Sequence, residues 1–191
     1  MACALAMLSD LLIPLITVGL AELGDKTQLS ILLLTSKTKG HFHLLLGVLL
    51  AFLLVNGVAV AAGSWITYLL PRRWLEISSG IVFIIFGALM LRGLKIEEER
   101  VGNGKFKNTF LTGFSLIFLT EWGDKTQIAS ALLATKYDPS MVFMGAIIAL
   151  TALSITAIYL GKGILNRMDR KTMMKLSGII FIIIGLYIIF L

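Results

Sequence analysis

Long apolar runs, separated by short polar stretches, recur along the whole 191-residue chain. Six of these runs are close to the roughly 20 residues that a helix needs to cross the hydrocarbon core of a bilayer. The predicted spans are Leu11–Leu34, Leu44–Leu70, Leu75–Leu91, Thr109–Thr135, Met141–Leu160 and Met173–Leu191. Because the apolar positions are continuous rather than alternating, and because open sheet edges cannot face lipid, the pattern predicts helices and not strands.

The composition is that of an integral membrane protein. Hydrophobic residues make up 58% of the chain, and its mean hydropathy of +0.93 is higher than that of soluble domains. The excess positive charge, +6 overall, lies in the loops without the interleaved aromatic residues of a nucleic-acid surface. We therefore expect a lipid bilayer, and no nucleic acid, as partner. The single cysteine, Cys3, excludes an intramolecular disulfide and a cysteine metal cage.

One strongly polar connection, Arg92–Asn108, divides the chain into two related halves. The tract Ser79–Gly87 of the first half is nearly repeated as Ser177–Gly185 in the second. The predicted repeats are Met1–Leu91 and Thr109–Leu191, with three spans each and the connection as a linker. Because three is odd, the second repeat enters the membrane from the opposite side. The predicted fold is therefore all-α, with six transmembrane helices arranged as two inverted three-helix repeats.

The basic residues predict how this fold is oriented. Three of the 17 Lys and Arg residues lie on one side of the predicted membrane, two lie inside the spans, and 12 lie on the side of the linker: Lys37, Lys39, Arg92, Lys95, Arg100, Lys105, Lys107, Lys162, Arg167, Arg170, Lys171 and Lys175. Cytoplasmic loops carry the excess of Lys and Arg. We therefore expect a cytoplasmic linker and both termini outside.

A seven-residue motif interrupts the first and fourth spans with charge. The sequence ELGDKTQ at Glu22–Gln28 recurs as EWGDKTQ at Glu121–Gln127. An ionised side chain at the bilayer centre costs about 2.5–3.5 kcal/mol on insertion scales. The charged motif occurs twice, at matching places in the two halves. This repetition predicts one site formed by both copies of the motif.

On a continuous helix, the acids and the glutamine of each copy are three residues apart and lie on one face. If the two motif helices pack antiparallel, their oxygen atoms converge. The predicted ligands are Glu22, Asp25, Gln28, Glu121, Asp124 and Gln127. Such hard oxygen ligands suit Ca²⁺, Mn²⁺ or Mg²⁺, and the spans offer no Cys or His to favour Zn²⁺ or Cu⁺.

Crowded carboxylates in a poorly hydrated site repel one another. A bound divalent cation offsets this repulsion, and so do protons, so that the two compete for the same oxygen atoms. This competition is a physical basis for exchanging a metal ion against protons. We expect no catalytic residues and no cofactor, because the cation is the transported substrate.

The lysines and glycines of the motif each allow two interpretations. Lys26 and Lys125 either pair with a carboxylate, which would lower the negative charge of the site, or extend toward the interface. Gly24 and Gly123 allow either close helix packing or a local break that frees carbonyl groups for an ion. The sequence leaves both choices open.

Four further polar residues are candidates for a supporting role. Thr27 and Thr126 either satisfy neighbouring carbonyl groups or supply a hydroxyl ligand. Asn56 in the second span aligns with Ser154 in the fifth. Asn56 either completes the site or makes an interhelical hydrogen bond.

The doubled Glu-x-Gly-Asp-Lys-Thr sequence, on the first and fourth of six spans, closely resembles one family. It is similar to the manganese/calcium:proton exchangers of the Golgi, chloroplasts and prokaryotes, also grouped as a second calcium/cation antiporter family. The resemblance implies a secondary transporter that exports Mn²⁺ or Ca²⁺ from the cytosol in exchange for protons. It also implies that Glu22, Asp25, Glu121 and Asp124 form the ion site. Eukaryotic members typically carry an N-terminal extension that is not seen here, so we expect the plasma membrane of a prokaryote.

Two other functions fit the same intramembrane acids. One is a cation channel with an acidic filter, and the other is an exporter of cationic amino acids. An intramembrane enzyme is disfavoured, because the spans contain no His or Cys and no recognisable pair of nucleophile and base. The sequence does not rank Mn²⁺ above Ca²⁺, and it does not give the oligomeric state.

Overall fold

A computed structural model describes residues 2–23, 25–92, 108–160 and 170–190, and within them the side chains other than those of residues 2–6, 26, 29, 33, 37, 72, 160, 170, 171, 173 and 174. All regular secondary structure in these ranges is helical. The helices are α1 (Ala2–Glu22), α2 (Lys26–Lys37), α3 (His41–Ile66), α4 (Arg72–Leu91), α5 (Thr109–Glu121), α6 (Lys125–Leu133), α7 (Pro139–Ile155), which continues as a π-helical turn (Thr156–Leu160), and α8 (Arg170–Phe190). Most of the predicted linker lies outside the described residues.

Three helices of the described ranges are long and apolar enough to cross a membrane on their own. They are His41–Ile66, Arg73–Leu91 and Pro139–Tyr159. Two more segments, Thr109–Glu121 and Lys175–Phe190, are apolar but shorter. The described part of the chain is therefore all-helical and has the helices of a membrane protein, as the composition predicts.

Two of the six predicted spans are not continuous helices. In the first, α1 ends at Glu22 and α2 begins at Lys26, and the fourth is divided into α5 and α6 by a break at residues 122–124. Both breaks fall inside the repeated motif, so the prediction of one helical face through each motif is wrong. With 13 and 9 residues, α5 and α6 are each shorter than the roughly 20 residues that cross a bilayer.

The helices pack in pairs that join one half of the chain to the other. Helix α3 packs against α5, and α1 packs against α7. Glycines allow both contacts, because a Cβ at Gly47 would collide with the carbonyl oxygen of Phe110, and a Cβ at Gly145 would lie 2.6 Å from that of Leu11. Small residues are typical where membrane helices approach backbone to backbone.

Helix α4 packs along α8 through a second set of glycines. A Cβ at Gly80 would lie 2.6 Å from the carbonyl oxygen of Gly185, and the reverse distance is also 2.6 Å. Gly87 and Gly178 form the same kind of pair, at 2.5 and 2.8 Å. Each contact thus joins two glycines from the near-repeated tracts of the two halves.

A buried apolar cluster holds the ends of α1 and α5 in place. Its members include Val18 of α1, Val48 of α3, Ile117 of α5 and Leu150 of α7. Val18 lies four residues before Glu22 and Ile117 four residues before Glu121, which is about one helical turn in each case. The cluster also includes Ile31 of α2, so it packs on both sides of the first motif.

Candidate cation site

The second motif forms a tight turn between α5 and α6. The amide of Asp124 donates to the carbonyl oxygen of Glu121 at 3.2 Å. Trp122 has φ −71° and ψ 111°, and Gly123 follows with φ +83°. These angles are those of a type II β-turn, whose third residue needs a positive φ and is therefore usually glycine. Of the two interpretations of Gly123, the structure shows the local break, and the binding of an ion by freed carbonyl groups stays a prediction.

The first motif has the equivalent backbone hydrogen bond. The amide of Asp25 donates to the carbonyl oxygen of Glu22 at 3.0 Å, and α2 begins at the next residue. Gly24 lies outside the described residues. In both copies, the glutamate therefore ends one helix and the aspartate precedes the next.

Gln127 stabilises the second turn. Its side-chain oxygen accepts a hydrogen bond from the amide of Gly123 at 2.6 Å, and its side-chain nitrogen donates to the carbonyl oxygen of Val55 on α3 at 3.3 Å. The carboxylate of Asp124, the residue before α6, makes no capping hydrogen bond to its own helix. Gln127 thus ties the turn to α6, and through Val55 to α3.

The two turns contact each other directly. The ammonium group of Lys125 forms an ion pair with Asp25 of the other motif and lies 3.8 Å from Asp124 Oδ2. In the opposite direction, the Thr27 hydroxyl donates to Glu121 Oε1 at 2.5 Å. The prediction that both motif copies build one site is consistent with these contacts.

Three carboxylates from the two motifs converge. One oxygen each of Glu22, Asp25 and Asp124 lies within 4.8 Å of the other two. Glu22 is 1% exposed, and neither of its carboxylate oxygens has a hydrogen-bond partner among the described residues. Opposite ligands of a Ca²⁺ ion, each 2.3–2.6 Å away, are roughly 4.6–5.2 Å apart, so the spacing fits a bound cation of this kind.

Glu121 lies outside this group of three. Its Oε1 accepts from Thr27, and its Oε2 accepts from the Thr126 hydroxyl at 3.1 Å. Thr126 also lies 3.5 Å from Asp124 Oδ2. The two threonines therefore bind a carboxylate, and neither of the two predicted roles, carbonyl partner or ion ligand, describes this contact.

Asn56 makes a hydrogen bond between helices. Its side-chain oxygen accepts from the Ser130 hydroxyl of α6 at 2.9 Å, and its side-chain nitrogen donates to the carbonyl oxygen of Phe52 at 3.1 Å. Ser154, the aligned residue, donates instead to Leu150 of its own helix at 2.7 Å. Sequence reasoning missed Ser130, because a single serine in an apolar helix carries no distinct signal.

Two predicted residues of the first motif are less fully described. Gln28 is buried on α2, about one turn after Asp25. The side chain of Lys26 lies outside the described residues. The predicted pairing of a motif lysine with a carboxylate is therefore seen at Lys125.

Comparison with known families identifies the chain. A model of the divalent cation/proton antiporter family GDT1 matches residues 10–98 and 109–190. The chain belongs to the GDT1 family. The resemblance drawn from the doubled motif is thereby confirmed, and the chain is a member of a family of cation/proton antiporters.

Other GDT1 proteins resemble the chain along most of its length. A GDT1-like protein of Synechocystis is 28% identical over 92% of this chain and 94% of its own. A Vibrio cholerae protein, provisionally named as a manganese exporter, is 29% identical over 94% of this chain and 90% of its own. GDT1-like protein 5 of Arabidopsis thaliana is 26% identical over 87% and 89%. No solved structure shows significant similarity to the chain.

The charges at the paired turns suit the cations of a GDT1 protein. Four carboxylates, those of Glu22, Asp25, Glu121 and Asp124, lie at the paired turns with one ammonium group, that of Lys125, among the side chains described there. All of the potential ligands at these positions are oxygen atoms. An excess of carboxylate oxygen favours hard divalent cations over soft metals.

Proposed function

We propose that this GDT1 protein exports a divalent cation, Mn²⁺ or Ca²⁺, from the cytosol in exchange for protons. The observation that carries the proposal is the convergence of Glu22, Asp25 and Asp124 within 4.8 Å, from both halves of the chain. The name of the Vibrio cholerae relative supports manganese as one substrate. We also propose that it lies in the plasma membrane of a prokaryote, an expectation that follows from the sequence.

The exchange follows from the cost of uncompensated charge. Because Glu22 is buried, its charged form is costly unless a cation lies beside it. When a metal ion leaves, protons on the same oxygen atoms reduce this cost. A site that holds either the metal or protons, and is costly when it holds neither, couples the two movements.

We assign different roles to the predicted ligands. Glu22, Asp25 and Asp124 bind the cation directly, since their oxygen atoms already converge. Glu121 is held by two threonine hydroxyls and joins the ligand set when these contacts change. Gln28 and Gln127 are amide ligands of this second arrangement, and Asn56 supports the site from α3.

We propose that six spans form two inverted repeats, Met1–Leu91 and Thr109–Leu191, which rock against each other. The helix packing supports this arrangement. Helix α3 packs on α5, and the corresponding helices of the other halves, α7 and α1, pack on each other in the same way. One broken helix from each half is typical of inverted-repeat transporters, whose sites lie at the repeat interface. The distribution of basic residues supports a cytoplasmic linker and external termini.

Flux measurements in proteoliposomes test the proposal. Mn²⁺ and Ca²⁺ would be followed with internal indicator dyes for the unaltered protein, Asp25→Asn and Asp124→Asn. We expect the initial rate of metal flux to fall by more than about 100-fold in both variants. Even groups that only orient metal ligands contribute about 10–100-fold to metal affinity or activity. Glu76→Gln is the matched control, since this acid pairs with Arg73 at 3.9 Å, away from the turns. Normal flux in either aspartate variant would contradict the site.

The same vesicles separate the two alternative functions. Flux of metal that ignores an imposed pH gradient would indicate a channel. Uptake of lysine or arginine, without uptake of either metal, would indicate an amino acid exporter. Membership of a cation/proton antiporter family favours exchange over both.

A further inference from the structure

The ammonium group of Lys125 lies at the place where the proposed cation would bind. It is ion-paired with Asp25 and lies 3.8 Å from Asp124, and both acids belong to the group of three carboxylates. The side chains of Lys125, Asp25 and Asp124 are 10%, 19% and 24% exposed, so water screens these charges only in part. A metal ion that bonded both aspartates would have to take the place of this ammonium group.

We infer that Lys125 is a tethered competitor of the transported cation and sets the affinity and selectivity of the site. The inference rests on the proposed function, because it assumes that the three carboxylates bind a metal ion. With no metal bound, the ammonium group neutralises part of the negative charge. An arriving cation displaces it, and the lysine returns when the cation leaves.

This competition selects for divalent cations. A monovalent ion offers Asp25 and Asp124 the same charge as the ammonium group, which is covalently attached and therefore always present at high effective concentration. A divalent ion doubles the Coulomb attraction at a similar distance. The lysine side chain is suited to leave, since it is a compact charge on a flexible four-carbon stem.

A permanent structural clamp is the opposing explanation of the same contact. Lys125 follows Asp124 in the second motif, whereas Asp25 belongs to the first, so the pair also joins the two halves. The two explanations predict opposite changes in metal affinity when the lysine is removed. Removing a clamp loosens the site and weakens metal binding, whereas removing a competitor strengthens it.

Equilibrium binding to the purified full-length protein in detergent distinguishes the two. Binding of Mn²⁺ and of Ca²⁺ would be titrated calorimetrically for the unaltered protein, Lys125→Gln and Lys125→Met. We expect both neutral variants to bind metal about tenfold more tightly or better, the gain if the ammonium group occupies the site in nine of ten molecules. Na⁺ at 0.1 M, roughly physiological ionic strength, should compete with Ca²⁺ in these variants and not in the unaltered protein.

Two further variants serve as controls. Lys125→Arg keeps the charge and should bind metal within about threefold of the unaltered protein, a difference below 1 kcal/mol. Lys39→Gln removes a charge from the exposed turn between α2 and α3 and should change nothing.

Each outcome decides between the explanations. Unchanged or weaker binding in the neutral variants overturns the inference, and so does a loss of folded protein in both of them while Lys125→Arg remains folded. If the unaltered protein neither binds nor transports Mn²⁺ or Ca²⁺, the proposed function itself fails. If it does both, but the Lys125 variants do not bind metal more tightly, the proposed function stands and the inference that Lys125 competes with the cation is wrong.

Discussion

The Thr27 hydroxyl of the first motif donates a hydrogen bond of 2.5 Å to Glu121 of the second. Both residues are buried, and Thr126 binds the other oxygen of the same carboxylate. Glu22, the equivalent glutamate of the first motif, has no such partner among the described residues. The two copies of one sequence therefore stand in different environments, as expected if exchange alternates between the two arrangements.

The contact between Thr27 and Glu121 predicts the effect of removing one hydroxyl group. Thr27→Val keeps the shape of the side chain but leaves a buried carboxylate oxygen short of a donor, which costs about 1–3 kcal/mol. We expect a lower melting temperature in detergent and slower metal flux, while Thr27→Ser stays close to the unaltered protein. Thr35→Val is the control, because the buried Thr35 hydroxyl of the same helix donates to the carbonyl oxygen of Ile31 in its own helix at 2.7 Å. Equal melting of the two valine variants would show that the contact contributes nothing.

The turn at Gly123 predicts a purely conformational effect. A Cβ at this position would meet nothing within 4 Å, so the cost of Gly123→Ala comes from its positive φ alone. This cost is about 1–2 kcal/mol for an L-residue. We expect Gly123→Ala to melt at a lower temperature and Gly123→Asn to lose less, since asparagine tolerates this conformation better. Equal melting temperatures for the unaltered protein, Gly123→Ala and Gly123→Asn would show that the turn is not of this type.

The helix breaks explain which part of the fold could be predicted from the sequence. Hydropathy predicted the segments that became α3, α4, α7 and α8, because a span is defined by its apolar length. It could not show the breaks, since the apolar residues on the two sides of each motif add up to a length that one membrane-crossing helix could also have. A local signal was present. In each copy, Asp is followed three residues later by Gln, which is a helix-start pattern, and Gly precedes the Asp.

The sequence predicted which residues meet at the paired turns more closely than it predicted their geometry. The repeated acids indicated one shared cation site, and the two motifs do meet at Asp25 and Lys125. A continuous helix through each motif would have made all four acids equivalent ligands. In the structure, two threonines bind Glu121 instead. Which hydroxyl binds which carboxylate depends on the tertiary arrangement of the turns, and a single sequence contains no information about that.

The glycine contact between α4 and α8 predicts a loss of packing. A Cβ at Gly87 would lie 2.5 Å from the carbonyl oxygen of Gly178, so Gly87→Ala should force the two helices apart. Overpacking of this kind costs about 1–3 kcal/mol. Gly57→Ala is the matched control, because its Cβ would lie at an ordinary 3.7 Å from the ring of Phe143. We expect thermal unfolding to separate the two variants, and similar melting temperatures would argue against the close approach.

The phenol of Tyr137 predicts a stabilising substitution. Its hydroxyl oxygen is buried and has no hydrogen-bond partner among the described residues. Burial, with smaller contributions from Tyr187 and Asp10, raises the pKa of this phenol, so that the hydroxyl stays protonated and needs an acceptor. Because an unsatisfied buried polar group costs about 1–3 kcal/mol, Tyr137→Phe should raise the melting temperature. Tyr68→Phe, at a side chain that is 85% exposed, should leave it unchanged. A lower melting temperature for Tyr137→Phe would mean that the hydroxyl has an acceptor after all.

Proton movement driven by a metal gradient tests the central claim, exchange at the paired turns, most directly. Vesicles containing the protein and a pH indicator would start with equal pH on both sides and receive external Mn²⁺ or Ca²⁺. The account predicts that metal enters while protons leave, so that the interior becomes more alkaline, and that Asp25→Asn abolishes both signals together. Metal entry at constant interior pH, or a pH change that persists in Asp25→Asn, would contradict it.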